Sequence, residues 1–208
     1  MIQLSGIARK ILSPNLQHYA ISFHSITTGH CSTQLCLLDT ASDKLVCLED
    51  VVSNKATVIM FLCNHCPYVQ LILDELVKAA REYQQKGVSF VGISANDAAN
   101  YPQDGPQQMR ELAGEKSFPF PYLYDQTQQV ARAYQAVCTP EFFVFDRNMR
   151  LAYHGQFDDA RPKSETPVTG QDLRQALNAL LNGDQVRADQ KPGIGCGIKW
   201  KTPLAEAG

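Results

Sequence analysis

Ala56-Thr57-Val58-Ile59-Met60-Phe61-Leu62-Cys63-Asn64-His65-Cys66-Pro67-Tyr68-Val69 is the stretch on which the fold turns. Its first seven residues carry no charge and are mostly β-branched, aromatic or aliphatic, as in a strand buried on both faces of a sheet. After Pro67 the period changes. Leu71, Ile72, Leu73, Leu76, Val77, Ala80 and Tyr83 recur at helical spacing, Asp74, Glu75, Lys78, Arg81 and Glu82 take the other face, and Gly87 ends the run. Cys63 and Cys66 therefore stand at a strand-to-helix junction.

That position suggests chemistry. Unpaired N–H groups and the positive end of the helix dipole favour a thiolate, so Cys63 is the expected nucleophile. Cys66, one helical turn further along the same face, is the expected resolving thiol that closes a disulfide with it. A CxxC also serves as half of a zinc site, or is simply two buried cysteines. The chain has no second CxxC and no HxxxH, although Cys138, Cys196 or His65 can complete a metal set in three dimensions.

The 208 residues are 44% hydrophobic and 19% charged, with no Pro/Gly/Ser-rich linker between two hydrophobic halves. One domain over 35–208, preceded by an N-terminal extension over 1–34, is the expected organisation. Net charge is -2 with scattered basic residues, which argues against a nucleic-acid partner. No apolar run approaches the roughly 18 residues of a membrane span, so a soluble protein without a membrane partner is expected. Seven cysteines is an odd number, and beyond the CxxC they show no disulfide-framework spacing. A reducing, cytoplasmic location fits that count. The first 38 residues lack Asp and Glu but carry Arg9, Lys10 and three histidines, so an organelle transit peptide is the alternative, beside an extra strand or helix.

Further along, Leu35–Leu38 and Leu45–Leu48 flank a turn at Thr40-Ala41-Ser42-Asp43 and read as a hairpin. Val88–Ser94 reads as a second buried strand, followed by a polar loop through Asp104 and a helix from about Pro106 to Ala113. Tyr122–Tyr124 is a short strand and Gln126–Tyr134 a helix. Phe142–Phe145 and Leu151–His154 are strands joined by a turn, and Leu173, Ala176, Leu177, Leu180 and Leu181 stripe a last helix stopped by Gly183. Alternating strands and helices ending in a hairpin predict an α/β sandwich around a mixed sheet.

Four segments carry a resemblance: Phe61-Leu62-Cys63-Asn64-His65-Cys66-Pro67-Tyr68-Val69, Asn96-Asp97 with Tyr101-Pro102, Cys138-Thr139-Pro140-Glu141-Phe142-Phe143, and Gly195-Cys196 before Ile198-Lys199-Trp200-Lys201. Together they resemble the thioredoxin superfamily, in its peroxiredoxin-like (AhpC/TSA-type redoxin) branch with a CNHCPY motif, over roughly Leu35 to Lys201. The resemblance implies a thioredoxin-like fold and a cis Thr139–Pro140 bond facing the CxxC, leaving the Thr139 backbone open to an extended substrate. It also implies that His65, placed as in the CPHC motif of a periplasmic thiol oxidase, lowers the Cys63 pKa and makes the pair more oxidising. Gly197 departs from the branch, which usually has serine there.

Strand 56–62 has no Asp, Glu or Lys to assist the second cysteine, so Glu141 and Asp97 are the candidate proton-transfer groups by placement. Cys138 and Cys196 are candidate auxiliary thiols, Cys196 in a Gly-rich segment able to fold back. Cys31, Cys36 and Cys47 are taken as structural. Asp158, Asp159 and Arg161 read as a capped turn or surface ion pair. The leading expectation is a thiol-disulfide oxidoreductase whose only cofactor is the Cys63–Cys66 disulfide. Its substrates would be protein or small-molecule thiols and disulfides, recycled by an external thiol reductant such as a thioredoxin or glutathione system. The alternatives are a thiol peroxidase, for which Met60 and Ala56 stand where peroxiredoxins carry a hydroxyl residue and a proline, and a Cys/His metal-binding module.

Overall fold

The computed structural model describes residues 36–202. The 1–34 extension, its transit-peptide reading and Cys31 lie outside them. The first hairpin is β1 (Cys36–Asp39) paired antiparallel with β2 (Leu45–Cys47). Its turn is capped from within, because the Asp39 carboxylate accepts both the N–H and the hydroxyl of Ser42, at 3.0 and 2.6 Å. The second strand stops one residue earlier than its apolar run. The Asp50 carboxylate takes the Cys47 N–H at 2.8 Å and opens a four-residue helix, α1 (Leu48–Val51). Cys36 and Cys47 face each other in the register and form a disulfide across a Cα separation of 4.0 Å. Nothing in their spacing of eleven residues announces that pairing.

The charge-free run becomes β3 (Ala56–Phe61), buried at every position. It lies between β4 (Val88–Ser94), which is parallel to it, and β7 (Glu141–Asp146), which is antiparallel. With β5 (Tyr122–Tyr124) and β8 (Leu151–Gly155) the order is β2-β1-β5-β4-β3-β7-β8. The expected α/β class with a central mixed sheet and flanking helices is what is observed.

The two-residue period of β3 distributes the core. Val58 and Met60 pack with α2 (Pro67–Gln84), α3 (Pro106–Glu115) and α5 (Gln171–Asn182) on one face. Ile59 and Phe61 pack with α1 and α4 (Gln129–Ala133) on the other. The Phe61 ring lies 5.6 Å from that of Tyr134 and 5.8 Å from that of Phe143, all fully buried. Phe61→Ala empties the middle of this layer, and urea denaturation should show a loss of about 3–5 kcal/mol.

Two elements differ from expectation. Helix α4 begins three residues later than its apolar pattern, because Asp125 to Gln128 form a turn instead. The Asp125 carboxylate accepts the Ala131 N–H at 2.9 Å, and Gln128 takes a left-handed φ of 62°. A second, two-stranded sheet also forms, from β6 (Cys138–Thr139) and β9 (Cys196–Gly197). Its partners are 57 residues apart in register (Thr139 to Cys196), a pairing invisible to any local pattern. No helix of the described residues is long and apolar enough to cross a membrane.

Candidate active site

The two cysteines lie at the carboxyl end of β3, but not as consecutive turns of one helix. Helix α2 starts at Pro67, and Cys66 is its N-cap with extended backbone, ψ 122°. Proline restricts the residue before it to extended conformations and fits the first helical position, where no N–H is needed. Asn64 and His65 form a bend between the two thiols instead.

That bend is pinned by Asp104, a residue the sequence reading did not single out. It is fully buried just before α3, and its carboxylate accepts the N–H of Asn64 at 2.8 Å and of His65 at 3.2 Å. It also pairs with His65 Nδ1 at 2.5 Å and accepts from Asn96 Nδ2 at 2.8 Å. The only sequence signal was an acid in the polar loop after the second strand. Asp104→Asn keeps the shape but turns one acceptor oxygen into a donor facing Asn96. Chemical denaturation should read a loss of about 1–3 kcal/mol.

The sulfurs are closed off, with Cys63 1% and Cys66 0% exposed. Both face Thr139, whose bond to Pro140 is cis, as the resemblance implied. Cys63 Sγ lies 3.1 Å from the Thr139 hydroxyl, and Cys66 Sγ 3.1 Å from the Thr139 carbonyl, to which it donates when protonated. The electrostatics run against the expected lowering of the Cys63 pKa. Its thiol is held far above the ordinary range by donating to Cys66, by burial and by the Asp104 charge. The lowered thiol is Cys66, drawn down to about 4 chiefly by the Cys63 hydrogen bond, against its own burial, with help from Cys196 and the Val69 N–H at the start of α2. The Thr139 carbonyl opposes a charge there, but the several donors gathered around Cys66 outweigh one acceptor. The helix start adds to this: Pro67 places the N-terminus at Cys66, so that the Val69 N–H is directed to its sulfur.

His65 does not reach out to Cys63 as a free imidazole, since its Nδ1 is engaged by Asp104 and its ring stacks on Tyr101 at 5.6 Å. Glu141 accepts the N–H groups of Val137 and Cys138, at 2.8 and 3.3 Å, and pairs with His154 at 2.7 Å. Asp97 accepts from Ala99 and Asn100 within its own loop. Both candidate proton-transfer groups are therefore committed to the backbone around them. Asp158 caps a turn through the N–H groups of Ala160, Thr169 and Gly170, and Asp159 pairs with Lys191, as the paired-carboxylate reading anticipated. Cys63, His65 and Asp104 present ligand atoms within 4.8 Å of one another. That is one donor short of a closed zinc set, and Asp104 is already shared between His65 and Asn96.

The AhpC/TSA family matches residues 28–154. The chain is similar to the crystal structure of an uncharacterised conserved protein from Geobacillus kaustophilus, at 53% identity and TM-score 0.82, covering 85% of this chain and 93% of that one. A hypothetical protein from Sinorhizobium meliloti shares 42% identity at TM-score 0.80, covering 83% and 94%. The fold extends to a thiol:disulfide interchange protein of the thioredoxin family from Chlorobium tepidum, at 15% identity, TM-score 0.55 and coverage of 71% and 93%. Among curated proteins none matches.

Proposed function

We propose, from the premise that this chain belongs to the AhpC/TSA family, that it is a thiol-disulfide oxidoreductase working through Cys63 and Cys66. The observation that carries this reading is the geometry of the pair. Two free, buried cysteines stand together, and each lies 3.1 Å from an oxygen of Thr139, beside cis-Pro140.

In this reading the Cys66 thiolate attacks a sulfur of an incoming disulfide, forming a mixed disulfide and releasing one thiolate. Cys63 then gives up its proton to the departing sulfur and displaces it from Cys66. The Cys63–Cys66 bond closes, and two electrons have passed to the substrate. Thr139 steadies both sulfurs, and Asp104 holds the bend between them through the Asn64 and His65 N–H groups. An external thiol reductant restores the pair.

A second reading, thiol peroxidase, gains one specific support. The hydroxyl that is missing three residues before Cys63 is supplied from another element by Thr139, 3.1 Å from Cys63 Sγ. Stopped-flow mixing of the reduced protein with insulin disulfide and, separately, with hydrogen peroxide distinguishes the two. Fast disulfide exchange with slow peroxide consumption supports the oxidoreductase, and the reverse order of rates replaces it with the peroxidase.

A further inference from the structure

Strand β9 occupies the place where an extended substrate was expected to pair. Cys196 lies opposite Thr139, and Gly197 opposite Cys138, in an antiparallel ladder. Gly195 runs so close beneath it that a Cβ there would sit 1.9 Å from the Thr139 carbonyl oxygen. The strand is fastened beyond that point as well. Ile198 N–H donates to the Val137 carbonyl at 3.1 Å, and Lys199 exchanges bonds with Asn96 and Asp97. The chain thus lays its own cysteine across the pair, opposite the residue whose hydroxyl and carbonyl face the two sulfurs.

Accessibility sharpens the point. Disulfide exchange needs the attacking sulfur to reach a disulfide sulfur. Cys63 and Cys66 are buried, so a bulky folded partner meets the partly exposed Cys196 before either of them. Beside it, Val137 is 64% and Ile194 44% exposed, apolar side chains on which a partner's surface can rest. Cys138, the other nearby thiol, is buried, and burial pushes it up to about 12.

We propose that Cys196 is a third redox thiol, which carries the disulfide from the buried Cys63–Cys66 pair to an external dithiol protein. The inference rests on the oxidoreductase reading above. In the first step Cys196 sulfur attacks Cys66 of the Cys63–Cys66 disulfide. The Cys66–Cys196 bond forms, the Cys63–Cys66 bond breaks, and the proton leaving Cys196 ends on Cys63, with no net oxidation. In the second, a thiolate of the external dithiol attacks the Cys196 sulfur, and Cys66 departs as the low-pKa leaving group. The partner's second thiol then attacks its own sulfur in that mixed disulfide. It releases Cys196 as a thiol and leaves the partner oxidised by two electrons, with both its protons passed to the protein and solvent.

The test is peptide mapping without reduction after oxidation by one equivalent of oxidised glutathione. Trypsin separates the thiols, leaving Cys63 and Cys66 in 56–78, Cys138 in 133–147 and Cys196 in 188–199. In Cys63→Ser the expected product is the 56–78 peptide linked to 188–199, with two hydrogens lost. Cys66 found instead as a glutathione adduct, or linked to Cys138, overturns the relay. Cys196→Ser gives a second measure: reduction of its Cys63–Cys66 disulfide by thioredoxin should slow by at least about tenfold, and an unchanged rate overturns the proposal. Wild type mapped in parallel separates the two levels. If it forms no Cys63–Cys66 disulfide, the oxidoreductase reading falls and the relay with it; if it does form one, a failed link in Cys63→Ser removes the relay alone.

Discussion

Cys66→Ser should react with a small disulfide about 100-fold more slowly than wild type at pH 5, while Cys63→Ser, whose hydroxyl still donates to Cys66, stays within about tenfold. The pH decides the size of the effect. With Cys66 drawn down to about 4, wild type is already a thiolate at pH 5. Without Cys66, the remaining Cys63 returns toward an ordinary thiol pKa of 9.0, and roughly one molecule in ten thousand is ionised at pH 5. A more basic thiolate is intrinsically the better nucleophile, and a Brønsted slope of about 0.4–0.5 gives back roughly two of those four decades. Near pH 7 the two factors almost cancel, so a comparison made only there shows little. Stopped-flow rates across pH 4–8 check the prediction: wild type should be flat above about pH 5, and Cys66→Ser should rise about tenfold per unit. The opposite pattern, with Cys63→Ser the slow variant at pH 5, returns the thiolate to Cys63. Because Cys196 resolves whatever Cys66 captures, a lasting mixed disulfide is expected only in the Cys63→Ser, Cys196→Ser double variant.

The second large effect is on stability. A group whose folded pKa is depressed contributes stability that is complete above its unfolded pKa and is lost as pH falls toward the folded value. For Cys66 the window runs from the ordinary 9.0 down to about 4. Cys63, raised, keeps its proton in both states below pH 9 and adds no slope there. Within the window the unfolded reduced chain therefore binds one more proton than the folded one. The stability of reduced wild type, measured relative to reduced Cys66→Ser, should rise by about 1.4 kcal/mol per pH unit. Urea denaturation at pH 5.5 and 7.5 should give a difference of about 3 kcal/mol, the histidines and carboxylates cancelling in the comparison. A difference that does not change with pH would mean that Cys66 holds its proton in the folded protein. The same stabilisation of the reduced form makes the pair a stronger oxidant, since potential follows the favoured redox form.

Local pattern carried most of the scaffold. The uncharged run at 56–62, the amphipathic stripe after Pro67 and the alternation that follows are each readable because burial on a sheet or helix face repeats every two or about 3.6 residues. The CxxC was equally plain, since its context is written in the neighbouring residues. The proline after Cys66 was in view too, and it fixes where the helix begins by the backbone restriction it places on Cys66.

Other features have no local signature. Asp104 meets Asn64 and His65 across some forty residues of sequence, and nothing near it marks it as the anchor of the bend. The Cys36–Cys47 disulfide and the β6–β9 ladder arise from register, and register is set by what the whole sheet brings together. By itself the sequence determined the fold class, the central strand, the helix behind it and the two thiols between them, because each depends on residues adjacent along the chain. Only the tertiary structure decided which carboxylate holds the loop and which third thiol lies across the pair, because hydrogen bonds and electrostatic fields depend on distances through space.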